Sequence, residues 1–134
     1  MPASSPLLPL RIAALLAGTA ACAAHAQTVI TNTGVTIASA DVRVIYVGEK
    51  QFAGAVRLVP VDNIGAQQRF LAAFLKVDDD KYNSIWAKKS FREGVNPPPL
   101  KATDGEVVEF VRRTPGAVGY IGDVSKAVGV NVVK

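Results

Sequence analysis

Two short apolar runs with helical pattern between them narrow the fold of this chain more than any other feature. Val56 to Val61 and Ala117-Val118-Gly119-Tyr120-Ile121 have the length and composition of strands buried on both faces. Between them, Phe70, Leu71, Phe74 and Leu75 recur at the spacing of an amphipathic helix. Asp78-Asp79-Asp80 then opens a second helix with Tyr82, Ile85 and Trp86 on one face. Strands separated by helices return by crossovers rather than hairpins, so the expectation is an α/β fold: a single three-layer lobe with a largely parallel sheet.

The remaining elements fit around this frame. Thr28 to Thr31 is a β-branched strand run followed by the turn Asn32-Thr33-Gly34. Val42 to Val47 reads equally as a strand, by β-branching, or as a helix capped by Ser39 and ended by Gly48. Asp62 to Gly65 is a loop, and so is Phe91 to Leu100, where Gly94 and Pro97-Pro98-Pro99 forbid regular structure. Thr103-Asp104-Gly105-Glu106 is a capping box for a helix that buries Val107, Val108 and Val111. Thr114-Pro115-Gly116 stops that helix, Gly119 permits a close approach, and Val128 to Val133 is a last strand.

The first 26 residues read as an export signal. Arg11 supplies a weak basic region, Ile12 to Ala24 an apolar one, and Ala24-His25-Ala26 a small-x-small cleavage pattern, so the domain is expected over residues 27–134. Acylation at Cys22 is the rival, although the large aliphatic residue expected three positions earlier is missing. The apolar run is shorter than the ~20 residues a membrane span requires, and no span is expected in the mature chain.

Cys22 and His25 are the chain's one cysteine and one histidine. Residues 27–134 therefore offer no thiol nucleophile, imidazole base, disulfide or soft metal site, and neither an enzyme nor a cofactor is expected. The positive excess is small, and its clusters, Lys88-Lys89 with Arg92 and Arg112-Arg113, suit solvated helix faces. Without interleaved aromatics they do not indicate nucleic acid. The three aspartates lack the glycine turn and distal glutamate of a calcium loop, and acidic residues at a helix start have a simpler cause in the helix dipole. Trp86 and Tyr120 read as core, and Asp104, Glu106 and Glu109 are not needed as an acid/base pair because capping uses the first two.

The same residues, taken in order, carry a family resemblance. Val56–Val61, the following loop and helix, Trp86, the Phe91-x-x-Gly94 loop with its prolines, and Glu106-Val107-Val108 leading to Pro115-Gly116-Ala117-Val118-Gly119-Tyr120-Ile121 resemble the phosphate-type solute-binding proteins of ABC transporters. Ile45-Tyr46-Val47-Gly48-Glu49-Lys50 resembles a helix and turn of that family, which favours the helical reading of Val42–Val47. The resemblance implies a type II periplasmic binding fold and a periplasmic location. It also implies a small inorganic anion such as phosphate as ligand, and an ABC permease or a second protein lobe as partner. Such receptors have two lobes around the anion, and this chain has the length of about one.

The resemblance also marks a site. Family members hold phosphate with an arginine followed by Asp-Gly-Ser-Gly-Thr at a helix start. Here Val61-Asp62-Asn63-Ile64-Gly65-Ala66 stands in that place, with Ile64 and Ala66 at the hydroxyl positions and no arginine before Asp62. The implied ligand set is Asn63, Gly65, Ala66, Gln67 and Arg69, through backbone N–H groups at the helix start and the Gln67 and Arg69 side chains. Arg69 has a second reading, on the solvent face opposite Phe70 and Leu71. Hydrogen bonds to a charged group contribute ~1.5–3 kcal/mol each, so losing two hydroxyls and a guanidinium implies weak or altered anion binding. The alternative is a protein-interaction or assembly module that uses the face a second lobe would cover.

Overall fold

The computed structural model describes residues 27–134. Residues 1–26, where the export signal is expected, with Cys22 and the cleavage pattern, lie outside the described residues. The strands are β1 (Thr28–Thr31), β2 (Phe52–Ala53), β3 (Val56–Arg57), β4 (Val59–Pro60), β5 (Asp62–Asn63), β6 (Leu100–Lys101), β7 (Ala117–Ile121) and β8 (Asn131–Val132). The helices are α1 (Val42–Tyr46), α2 (Gln67–Phe70), α3 (Asp79–Glu93) and α4 (Asp104–Arg113).

β7 is buried along its whole length and organises the lobe. In the order β4-β7-β1-β8 it lies between β4, which runs parallel to it, and β1, which runs antiparallel with Val29 opposite Tyr120. Alternation along β7 divides the core into two. Val118 and Tyr120 join Val29, Tyr46, Phe70, Leu71, Tyr82 and Trp86 beneath α1, α2 and α3, whereas Ala117 and Ile121 join Ile30, Val61, Val107 and Val111 beneath α4. This is the expected three-layer α/β arrangement.

The sheet is partly parallel. Within it β4 and β7 pair in parallel, and β5 and β6, joined through α2 and α3, pair in parallel as a separate two-stranded sheet. β1 is antiparallel to both β7 and β8. Its partners lie far along the chain, and no local signal encodes its direction. The apolar run Val56–Val61 also divides. Val56–Arg57 folds back on β2 as a hairpin, with Leu58 N–H donating to the Gln51 carbonyl at 2.8 Å. Beyond Leu58, Val59 and Val61 donate to Gly116 and Val118 of the β7 side, each at 2.8 Å. Pro60 sits between these donors, where its missing N–H costs nothing.

Val42–Tyr46 is helical, extending a 3₁₀ turn at Ser39–Asp41. The 3₁₀ turn is capped at Ala38 rather than Ser39, with the Asp41 carboxylate accepting from the Ala38 N–H, and Asp41 is the N-cap of α1. The helix beginning at Gln67 widens into a π turn over Leu71–Leu75, where Leu71 and Leu75 are both buried. Asp78 caps α3 by accepting from Lys81 N–H at 2.8 Å, which places Asp79 and Asp80 in the first turn. α3 runs past Phe91 to a left-handed Gly94, so the expected loop starts later. The final strand contracts to β8.

At Gly119 the approach is side chain to backbone. An added Cβ would lie 2.7 Å from Val107 Cγ1 and 3.0 Å from Val111 Cγ2, so this glycine sets how closely α4 seats on the sheet.

Candidate functional site

β5 carries the chain out of the sheet and toward α2, and its two residues face different partners. Asp62, 3 % exposed, lies between α3 and β7. Tyr82 Oη donates to Asp62 Oδ2 and Tyr120 Oη to Asp62 Oδ1, both at 2.8 Å. Burial raises the Asp62 carboxyl from 3.8 to about 6, and the two phenol hydrogen bonds only partly oppose that. Burial, with the adjacent Asp62 charge, pushes Tyr82 and Tyr120 well above the ordinary phenol range, so both remain hydrogen-bond donors.

An aromatic wall backs this carboxylate. Tyr120 stacks on Phe70 with ring centroids 3.8 Å apart, and Tyr46 meets both rings edge-on. Tyr46 Oη lies 2.8 and 3.0 Å from the carbonyl oxygens of Val61 and Val118 and shares its one proton between them, bracing the β4–β7 pair just before Asp62. Trp86 is core as expected, with its indole N–H donating to the Tyr46 carbonyl at 3.0 Å.

Asn63 is fully buried and turns the other way. Its Nδ2 donates to Asp104 Oδ1 at 2.8 Å and to the Tyr120 carbonyl at 3.1 Å. Its Oδ1 accepts from Gly65 N–H at 3.2 Å, and its carbonyl accepts from Ala66 N–H at 3.1 Å. The implied ligand amides of Gly65 and Ala66 are thus already bonded to Asn63, and the Asn63 side chain acts within the fold. Ala66 is itself buried.

Gln67 and Arg69 are placed differently. Gln67 is half-buried and Arg69 exposed, in line with the solvent-face reading of the arginine. They line one shallow depression of about 310 Å³ with Ile64, Gly65, Gln68 and Asp79. The structure therefore brings together Gly65, Gln67 and Arg69 at the opening turn of α2, while Asn63 and Ala66 support it from below. The N–H groups of that turn favour an anion, and the Asp79 carboxylate in the same depression opposes one.

Asp104 is a joint that the capping pattern does not announce. Besides the amide of Asn63, its carboxylate accepts from Gly122 N–H at 3.1 Å and Asp123 N–H at 3.0 Å. The capping box is partly shifted: Thr103 Oγ1 accepts from Glu106 N–H at 3.2 Å, but Glu106 reaches back to Ala102 N–H at 2.9 Å. The hydroxyls of Tyr82 and Tyr120 were also not foreseen as Asp62 partners. The available hint was an aspartate ending an apolar strand, a position that demands buried donors.

The fold is an α/β lobe like that of periplasmic binding proteins. Among solved structures the chain is similar to PstS from Borrelia burgdorferi, with a TM-score of 0.59 and 21% identity, covering 81% of this chain and 46% of that one. It spans about half the length of that protein. No family model and no curated protein matches the chain.

Proposed function

We propose that residues 27–134 form an exported, periplasmic solute-binding lobe that takes a small oxyanion such as phosphate weakly at the start of α2. Its role is binding rather than catalysis. The observation that carries this reading is the opening turn of α2 standing at the surface with Gln67 and Arg69, on a loop held in shape by Asn63. The resemblance to phosphate-type receptors and the likeness to about half of PstS support it. An ABC permease or a second lobe fits as partner on the same grounds.

Weakness follows from the donors left over. With the Gly65 and Ala66 amides engaged and Asp79 nearby, the anion has the next amides of the turn and one exposed guanidinium. A millimolar dissociation constant corresponds to about 4 kcal/mol, which two or three such contacts supply after their costs. Phosphate at ten times that constant stabilises the native state by about 1.4 kcal/mol, raising the melting midpoint by roughly 5–10 °C for a domain of this size. The test is thermal melting in phosphate against chloride at matched ionic strength. Arg69→Ala should abolish the rise and Asp79→Asn should enlarge it. An unmoved midpoint at 50 mM phosphate sinks the reading.

Ile64 and Leu100, 58% and 52% exposed, are large apolar residues flanking the same loop and favour a second reading, a face covered by another protein. A midpoint that ignores phosphate but rises with protein concentration would put this reading first.

A further inference from the structure

A cavity with a mostly apolar lining lies away from the α2 loop. It encloses about 480 Å³ between the end of α1, the β3–β4 segment, α3 and the proline loop. Its apolar lining includes Leu58, Trp86, Val95 and four prolines, Pro60 and those of the loop, and its charged lining residues are Lys50, Arg57 and Lys89, with no carboxylate among them. Lys50 and Lys89 have carboxylate partners outside the cavity, Asp41 at 3.6 Å and Glu93 at 2.9 Å. Arg57 has a different setting. Its guanidinium lies 5.9 Å from the centre of the Phe52 ring, and no carboxylate among the described residues is within ion-pair distance.

From this charge pattern we infer a second ligand site that takes a small amphiphilic carboxylate, its apolar body against Trp86 and the prolines and its head on Arg57. The volume falls within the range of small-molecule clefts, and the lining has their usual character of many apolar groups with few polar ones. The cations select the sign of the ligand. A neutral molecule would leave Arg57 unused, and a cation would meet three like charges. Arginine presents a planar fork of donors that matches a carboxylate with two parallel hydrogen bonds. This site is independent of the anion reading above, because it contains neither Asp62 nor any residue of α2.

Trp86 is the single tryptophan of the chain and lines the cavity, so its emission reports on occupancy. Octanoate is the probe, with octanol and acetate as partners that lack the charge and the body respectively. Octanoate should shift Trp86 emission saturably with a half-point below 1 mM, and Arg57→Gln should raise that half-point about tenfold, the equivalent of ~1.4 kcal/mol. Arg57→Lys, which keeps the charge but loses the fork, should fall between. Arg57 is exposed, so these variants retain the fold, and circular dichroism verifies it. The inference is overturned if octanoate to 10 mM gives no saturable shift, if octanol acts as strongly, or if Arg57→Gln leaves the half-point unchanged.

Discussion

Protonation of the buried carboxylate should make this lobe more stable in mild acid, and Asp62→Asn should remove that behaviour. Asp62 titrates at about 6 in the folded lobe against 3.8 ordinarily, so the folded state holds the proton more tightly than the unfolded chain does. A raised carboxyl contributes stability as pH falls through the folded value, complete below the unfolded one. For these two values the gain between pH 8 and pH 5 is about 1.4 kcal/mol, and the full span is about 3 kcal/mol. Urea denaturation at the two pH values, on the wild type and on Asp62→Asn, measures it. Asparagine keeps the shape and removes the titration, and a tyrosine hydroxyl can turn to accept from its amide. The other carboxylates, among them the exposed Asp123, whose hydrogen bonds to Ser125 lower its pKa, cancel in the difference between the two proteins. A wild type whose stability changes from pH 8 to pH 5 just as the variant's does would refute the argument that desolvation outweighs the two phenol hydrogen bonds.

Two further outcomes concern the frame of the site. Asn63→Ala strips donors from Asp104 and the Tyr120 carbonyl and leaves Gly65 N–H without its partner, so it should cost about 2–4 kcal/mol in urea unfolding; a loss under 1 kcal/mol would mean that water replaces the side chain without penalty. Gly116→Ala should cost more than the ~1–2 kcal/mol of a left-handed residue, because Gly116 has φ 82° and an added Cβ would lie 2.0 Å from the Arg57 carbonyl oxygen. Near-native stability by calorimetry would mean that the β3–β4 backbone yields easily.

What could be read from the sequence was set by neighbours along the chain. β7 announced itself by five small or apolar residues between a Pro-Gly stop and a polar turn, and α4 by its cap and valine stripe. Asp78 and Gly94 punctuate α3 through side-chain and left-handed caps, although the prolines make the loop after it look longer than it is. Features that depend on distant partners were not legible. β1 pairs with strands near the other end of the chain, and nothing in Thr28–Thr31 fixes its direction. Asp62 meets hydroxyls 20 and 58 residues away, and Asn63 meets Asp104 at a separation of 41. The candidate loop is marked by resemblance, but whether its amides are free depends on the Asn63 rotamer at Gly65 and on a tight backbone turn at Ala66, which no spacing rule encodes.

Burial treats Ile64 and Ala66, which stand where the resembled receptors carry hydroxyls, unequally. Ile64 is 58% exposed, so a serine there would cost the interior nothing and would remove an apolar group from the surface. Ala66 is 5% exposed and belongs to the same core cluster as Phe70 and Tyr120, where the larger threonine would have to displace packed neighbours. Placing both hydroxyl donors on this scaffold is therefore a one-residue graft on one flank and a redesign of the interior on the other.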